Sequence, residues 1–331
     1  MNERRFPVLA LAVCACVGLA GCSGDPSPVT ADEDWEIDFG RSSSFAGGDL
    51  SVFLVLEDVQ FRSIHPLIDV SAGGSFDLAD VIAERPFETP LPGHEGKALT
   101  FLKIHESGTS VAHGALSWDP EHPEDYLMAG WRADFPGQHP PVLSLADSEQ
   151  YAIFDGPEIG PLSRPQFPAG GRASYVGPAG GLYAYEARAR VIDEYEGVVN
   201  LQVDFADRTI AGCIGCLGDL ITRRVHFGDL LGENVIDTES LVLNHEIHLG
   251  ALEFDEPGGR FEGTGVTVVH PDLEIVDTGG RWGGQISGRP DTAGWPRLVV
   301  GTTATSFSDE NGVDGAFSGT FVALSPDLRG E

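Results

Sequence analysis

Lysine is almost missing from this chain: of 331 residues only Lys97 and Lys103 are lysines, and 20 basic residues stand against 51 acidic ones. The resulting net charge of −31 repels phosphate backbones and anionic lipid head groups, which excludes nucleic acid as a partner. The acidic residues are spread along the whole length, the distribution expected of solubility and not of one steering patch. Cysteine is also scarce, with five residues at positions 14, 16, 22, 213 and 216. No stretch reaches the ~18 consecutive apolar residues of a transmembrane helix. Nucleophile elbows of the Gly-x-Ser-x-Gly kind, Ser-x-x-Lys motifs and Walker loops are all lacking. No catalytic residue, cofactor or metal is therefore expected, and the chain reads as a non-enzyme.

What is there begins at the first residues. Arg4 and Arg5 form a short basic head, and Phe6 to Ala20 is nearly all apolar. A basic head, a short apolar core and small residues before a cut site define an export signal. Leu19, Ala20, Gly21 and Cys22 then resemble the lipobox of bacterial lipoproteins. That resemblance implies cleavage before Cys22 and lipidation of its thiol. Stable anchoring takes more than one acyl chain, which a lipidated Cys22 would carry. By the same resemblance, Ser23 after the cysteine implies sorting to the outer membrane or cell surface. Loss of residues 1–21 takes away Arg4, Arg5 and Glu3, leaving 310 residues with 18 basic and 50 acidic side chains, a net charge of −32.

Residues 22–34, rich in Ser, Gly, Asp, Pro and Thr, read as a flexible tether. Beyond it, apolar runs alternate with Gly/Pro/Asp turns, as strands do. In the first part the expected strands are Leu50–Leu56, Ala98–His105, Val111–Trp118, Tyr126–Phe135 and Glu149–Phe154, with a short helix over Phe76–Ala83. In the second part Val199, Leu201, Val203 and Phe205 alternate with Asn200, Gln202 and Asp204, giving one buried and one wet face. Leu241–Leu249, Arg260–Val269, Gly280–Gly288, Leu298–Phe307 and Ala316–Leu324 read the same way. The expected fold is mainly β: a smaller β-rich, handle-like region over 35–165, then an antiparallel barrel of about eight strands over 166–325. The Pro- and Gly-rich stretch Pro161–Gly171 marks the boundary. Polar residues on one strand face and a tail without a terminal aromatic argue against a membrane-spanning barrel.

An ordered series of short segments in the second half resembles the β-barrel domain of transferrin-binding protein B and the surface lipoproteins like it. The series runs Gly170–Gly177 with Ala179–Tyr183 as an opening hairpin, then Leu201–Phe205 with Thr209–Gly212. It continues through Gly258–Gly263, Gly279–Gly288 and Pro296–Thr302 to Gly315–Phe321. Upstream, Tyr126–Trp131 and Tyr151–Gly156 resemble the strands that precede the barrel. The resemblance covers about half the chain and implies an exposed lipoprotein that captures a nutrient or host protein without catalysis. It does not carry over transferrin itself, because the family binds through variable loops and has two lobes where this chain has room for one. A secreted β-structured hydrolase and a purely structural envelope lipoprotein are the rival classes. The partners expected are the membrane, through Cys22, and a protein or small ligand.

Cys213 and Cys216 are the most pointed local feature. Exported thiols tend to oxidise, and a turn at Gly215 would bring the two within bonding reach, so a disulfide is the leading reading. Free thiols remain open, as does zinc, for which His226 and His245 are the histidines at hand. A redox role needs a helix N-terminus to lower the thiol pKa, none is evident, and the disulfide is expected to carry no redox chemistry. His245 and His248 sit three apart in a strand pattern and so face opposite sides. The acidic turn Ser308–Asn311 has oxygens suited to calcium, but reads as a solvated turn.

Overall fold

A computed structural model describes residues 52–56, 59–63, 81–86, 90–122, 125–139, 148–159, 164–185, 193–229, 233–256 and 258–329. The expected signal, Cys22 and the expected tether lie outside the described residues. Among the described residues every strand pairing is antiparallel, and a single 3-10 turn, Asp327–Arg329, follows the last strand. A two-stranded ribbon, β1 (Val52–Leu56) with β2 (Val59–Ser63), comes first. A five-stranded meander follows: β3 (Val81–Pro86), β4 (Glu95–His105), β5 (Gly108–Trp118), β6 (Tyr126–Pro136) and β7 (Glu149–Asp155). The helix expected over Phe76–Ala83 is corrected at its end. Val81 to Ala83 open β3, where Val81 and Ala83 pair with Phe101 and Thr100, so a neighbouring strand edge overrides a weak local preference.

The second sheet holds β8 (Arg172–Tyr185), β9 (Asp193–Asp204), β10 (Thr209–Ile214), β11 (Ile221–Asp229), β12 (Glu233–Val242) and β13 (Glu246–Glu253). It is completed by β14 (Arg260–Thr264), β15 (Val266–Val269), β16 (Ile275–Ile286), β17 (Leu298–Asp309) and β18 (Asp314–Leu324). The ladder runs β14-β16-β17-β18-β8-β9-β10-β13-β15. Because β14 and β15 are successive halves of one chain path, interrupted at Gly265, this order nearly closes on itself into the expected barrel. Val268 N–H donates to Thr278 Oγ1 at 2.8 Å across the seam, and Phe254 bridges to Phe261.

Three details differ from the sequence reading. Gly170–Gly177 and Ala179–Tyr183 are not a hairpin: from Arg172 on, both lie on the single strand β8, which pairs with β9 from Arg172 to Tyr183. Leu241–Leu249 is not one strand but the end of β12 and the start of β13, broken at Leu243–His245, where Asn244 takes a left-handed φ of 35°. β11 and β12 had no counterpart. Together with β10 and β13 they form a double-length hairpin: β10 pairs with β13, and the distal β11 pairs with β12 and with Asp193–Glu196 of β9.

Alternation decides what fills the barrel. Tyr175, Val199, Leu201, Ile210, Ile247, Trp282, Phe317 and Phe321 are all buried within one cluster. Each such side chain contributes roughly 1.5–3 kcal/mol by leaving water. The Trp282 indole N–H donates to the Gly250 carbonyl at 3.0 Å, so its polar edge is satisfied. The interior is a packed core, unlike the aqueous lumen of a porin. No helix among the described residues is long and apolar enough to cross a membrane.

The small sheet lies against the outside of the barrel through two apolar patches. In one, Leu102, Val111, Trp131, Ala133 and Phe135 pack on Leu182 of β8. In the other, Leu91, Leu127, Ala129, Phe154 and Ile159 pack on Leu298, Val300 and Leu324. A polar joint reinforces the second patch. Arg289 Nη1 lies 2.7 Å from Asp125 Oδ1, and Ser287 Oγ donates to Glu158 Oε2 at 2.7 Å. Burial pushes the Glu158 carboxyl above the usual carboxylate range, and Arg297, at 3.3 Å, opposes that push.

Candidate functional site

Between the two apolar patches a cleft separates the sheets, and the reason lies in side-chain size. On the small sheet, Ala98, Ala115 and Ala129 stand side by side on β4, β5 and β6, each the direct cross-strand partner of the next. Opposite them the barrel wall runs Gly177, Pro178, Ala179, Gly180 and Gly181. At these positions only small side chains stand where larger ones would normally interdigitate across about 10 Å. What remains is a half-open cleft of about 610 Å³. That volume falls within the range of small-molecule sites.

β8 suits this wall for a backbone reason as well. The β18–β8 ladder skips from Phe321↔Ala179 to Leu324↔Val176, and Pro178, which has no N–H, sits in that gap. Gly177 cannot be replaced there: a Cβ on it would lie 2.0 Å from the Val322 carbonyl oxygen.

Polar groups enter the cleft at few points. His113 of β5 faces it, with Nδ1 3.1 Å from Thr100 Oγ1 and the ring stacked near Trp131 at a centroid distance of 6.1 Å. The same nitrogen lies 3.9 Å from Glu194 Oε1 of β9, so one pair of side chains spans from sheet to barrel. Glu194 is buried, while Glu196 and Asp219 extend the acidic rim beside it. Arg329 borders the cleft elsewhere and donates from Nη2 to the Ser174 carbonyl at 3.4 Å. The cleft is thus apolar in its walls and acidic along the β9 side.

The residues singled out from sequence sit elsewhere. Cys213 and Cys216 are joined as a disulfide with Cα atoms 5.9 Å apart. Gly215 between them has φ +90°, and a Cβ there would lie 2.7 Å from the His245 carbonyl oxygen, so only glycine turns the chain at this point. His245 and His248 do face opposite sides. His245 is buried among Tyr183, Phe307 and Phe317 inside the barrel. His248 pairs across the ladder with Cys213 on the outer wall and is half exposed. The interior position of His245 removes it from the cysteines, and the side chain of His226 lies outside the described residues. In the acidic turn, Asp309 Oδ1 accepts from Asn311 N–H at 2.8 Å and Val313 N–H at 2.9 Å, and Oδ2 accepts from the Tyr185 hydroxyl at 2.8 Å. Its oxygens are engaged in shaping the turn. The cleft itself went unseen in the sequence, since a row of alanines becomes a wall only once the register of three strands is known.

No protein-family model matches this chain, and no curated protein matches it either.

Proposed function

We propose that this chain is an exported lipoprotein, held to the outer membrane or cell surface through Cys22, which binds an apolar small molecule in the cleft between its small sheet and its barrel without chemically changing it. The observation that carries this reading is the facing of two side-chain-poor walls, Ala98–Ala115–Ala129 and Gly177–Gly181, between two tightly packed apolar patches. Two sheets that pack well on both sides of a gap have no stability reason to leave the gap open. The lipobox and the family-like series of barrel segments support the export and capture parts of the proposal. Glu194 and Glu196 favour a ligand that carries positive charge beside its apolar body.

The test uses two aromatic dyes, cationic thioflavin T and anionic anilinonaphthalene sulfonate. Thioflavin T is expected to bind at one site with enhanced fluorescence, and the sulfonate at least ~10-fold more weakly, a difference of about 1.4 kcal/mol. Ala115→Trp should fill the cleft and abolish binding while the protein stays folded by near-ultraviolet circular dichroism. If neither dye binds, or if the folded Ala115→Trp protein binds as the parent does, the cleft reading fails and a purely structural envelope role takes its place.

A further inference from the structure

On the outer wall of the barrel, away from the cleft, β10 and β13 bring together four side chains that are each metal ligands in kind. Cys213 and His248 are direct cross-strand partners, so both project from the same face. Glu246, two residues before His248 on the same strand, shares that face. The left-handed turn at Gly215 then folds Cys216 back toward them. The donor atoms of Cys213, Cys216, Glu246 and His248 all lie within 4.8 Å of one another. Cys216 Sγ is 3.5 Å from Glu246 Oε2, and His248 Nε2 is 2.9 Å from that same oxygen. Ligands around a tetrahedral zinc ion sit about 3.4–3.8 Å apart, given Zn–S near 2.3 Å and Zn–N or Zn–O near 2.1 Å. Two sulfurs, one imidazole and one carboxylate, all from strand and tight-turn positions, make a donor set of the right number and softness for zinc.

We propose that this cluster is a redox-gated zinc site: the disulfide form excludes the metal, and the dithiol form binds one Zn²⁺ through Cys213, Cys216, Glu246 and His248. The chemistry balances with a dithiol donor. Reduction places two electrons and two protons on the sulfurs and leaves the donor as a disulfide; metal uptake then releases both thiol protons. The metal replaces the hydrogen bond between His248 and Glu246. A disulfide oxidant reverses the sequence: it takes the two electrons and two protons and leaves as a dithiol, the Cys213–Cys216 bond re-forms, and the ion is expelled. The strands that supply Cys213, Glu246 and His248 are fixed by the barrel ladder, so the change is confined to the turn from Ile214 to Leu217. This site stands independently of the cleft and of any ligand there.

The experiment titrates Co²⁺ as an optical probe into whole mature protein, oxidised or reduced under anaerobic conditions with a phosphine. Reduced protein should take up one equivalent with a sulfur-to-cobalt charge-transfer band that Zn²⁺ abolishes, and oxidised protein should show no such band. Glu246→Gln and His248→Ala should each weaken binding ~10-fold or more. Cys213→Ser with Cys216→Ser should remove the charge-transfer band. Near-ultraviolet circular dichroism follows the fold throughout. The proposal is overturned if the reduced, folded protein gives no band, if reduction itself destroys the fold, or if both single variants bind as tightly as the parent.

Discussion

His245 and His270 meet edge to face near one end of the barrel interior, with ring centroids 4.6 Å apart. His270 Nδ1 accepts from the backbone N–H groups of Asp272 and Leu273, both at 3.0 Å. Burial, reinforced by His270, lowers the pKa of His245 from 6.5 to about 4. A buried neutral histidine links folding to pH. The unfolded chain takes a proton as pH falls below its ordinary value, and the folded chain does not follow until about pH 4. The contribution is therefore complete above about pH 6.5 and is lost across that window, to an extent on the order of 3 kcal/mol. His245→Phe keeps a ring among Tyr183, Phe307 and Phe317 and should flatten this part of the curve. Urea unfolding at a series of pH values measures it; identical slopes for parent and variant would refute the assignment.

Leu182 belongs to the barrel by chain and to the small sheet by contact. Its side chain, 3% exposed, packs with Val111, Trp131 and Phe135. Leu182→Ala should cost about 2–5 kcal/mol, felt first where the sheet attaches. Hydrogen exchange should quicken in β5 and β6 while β16 to β18 stay protected. Equal acceleration everywhere would show that sheet and barrel open as one unit.

Asp309 holds the turn between β17 and β18. The Val313 N–H, and then the Tyr185 hydroxyl and Asn311, keep its carboxyl below the usual carboxylate range. A depressed acid contributes stability above its unfolded pKa and loses it as pH falls through the folded one. Asp309→Ala should thus lower the melting temperature at neutral pH and make a smaller difference at about pH 3, below the ordinary value for Asp. Tyr185→Phe, which removes one hydrogen bond, should cost about 0.5–1.5 kcal/mol at neutral pH.

Cys22→Ala should release the body of the protein from membranes into the soluble fraction. A variant that still sediments with membranes after a carbonate wash would place the anchor elsewhere.

The architecture was legible because period-two alternation is strong where one face is buried. Val199 to Phe205 and Ala316 to Leu324 needed no partner to be read as strands. The breaks were harder. Leu243 to His245 carries no proline or glycine, so nothing local announces that β12 ends and β13 begins there. The opening hairpin implied by the resemblance is instead the single strand β8, whose glycines sit within a continuous ladder to β9. Glu246 carries no local signal of its own, since the cysteines near it on the outer wall come from another segment of the chain. Only the register of β10 against β13 shows that it sits with Cys213 and His248.

The split at Gly265 gives the barrel a weakest line. Every strand from β16 round to β10 is laddered to a neighbour on each side, but β14 is laddered to β16 and β15 to β13. Each half of that path thus leans on one main neighbour, helped by single bonds such as Val268 to Thr278. A closed cylinder under thermal stress parts where its circumferential bonds are fewest, as a cask parts along one stave. The amides of 260–269 should then be the earliest of the barrel to exchange, and the cylinder should uncurl from that stave into an open sheet before its far wall loses order.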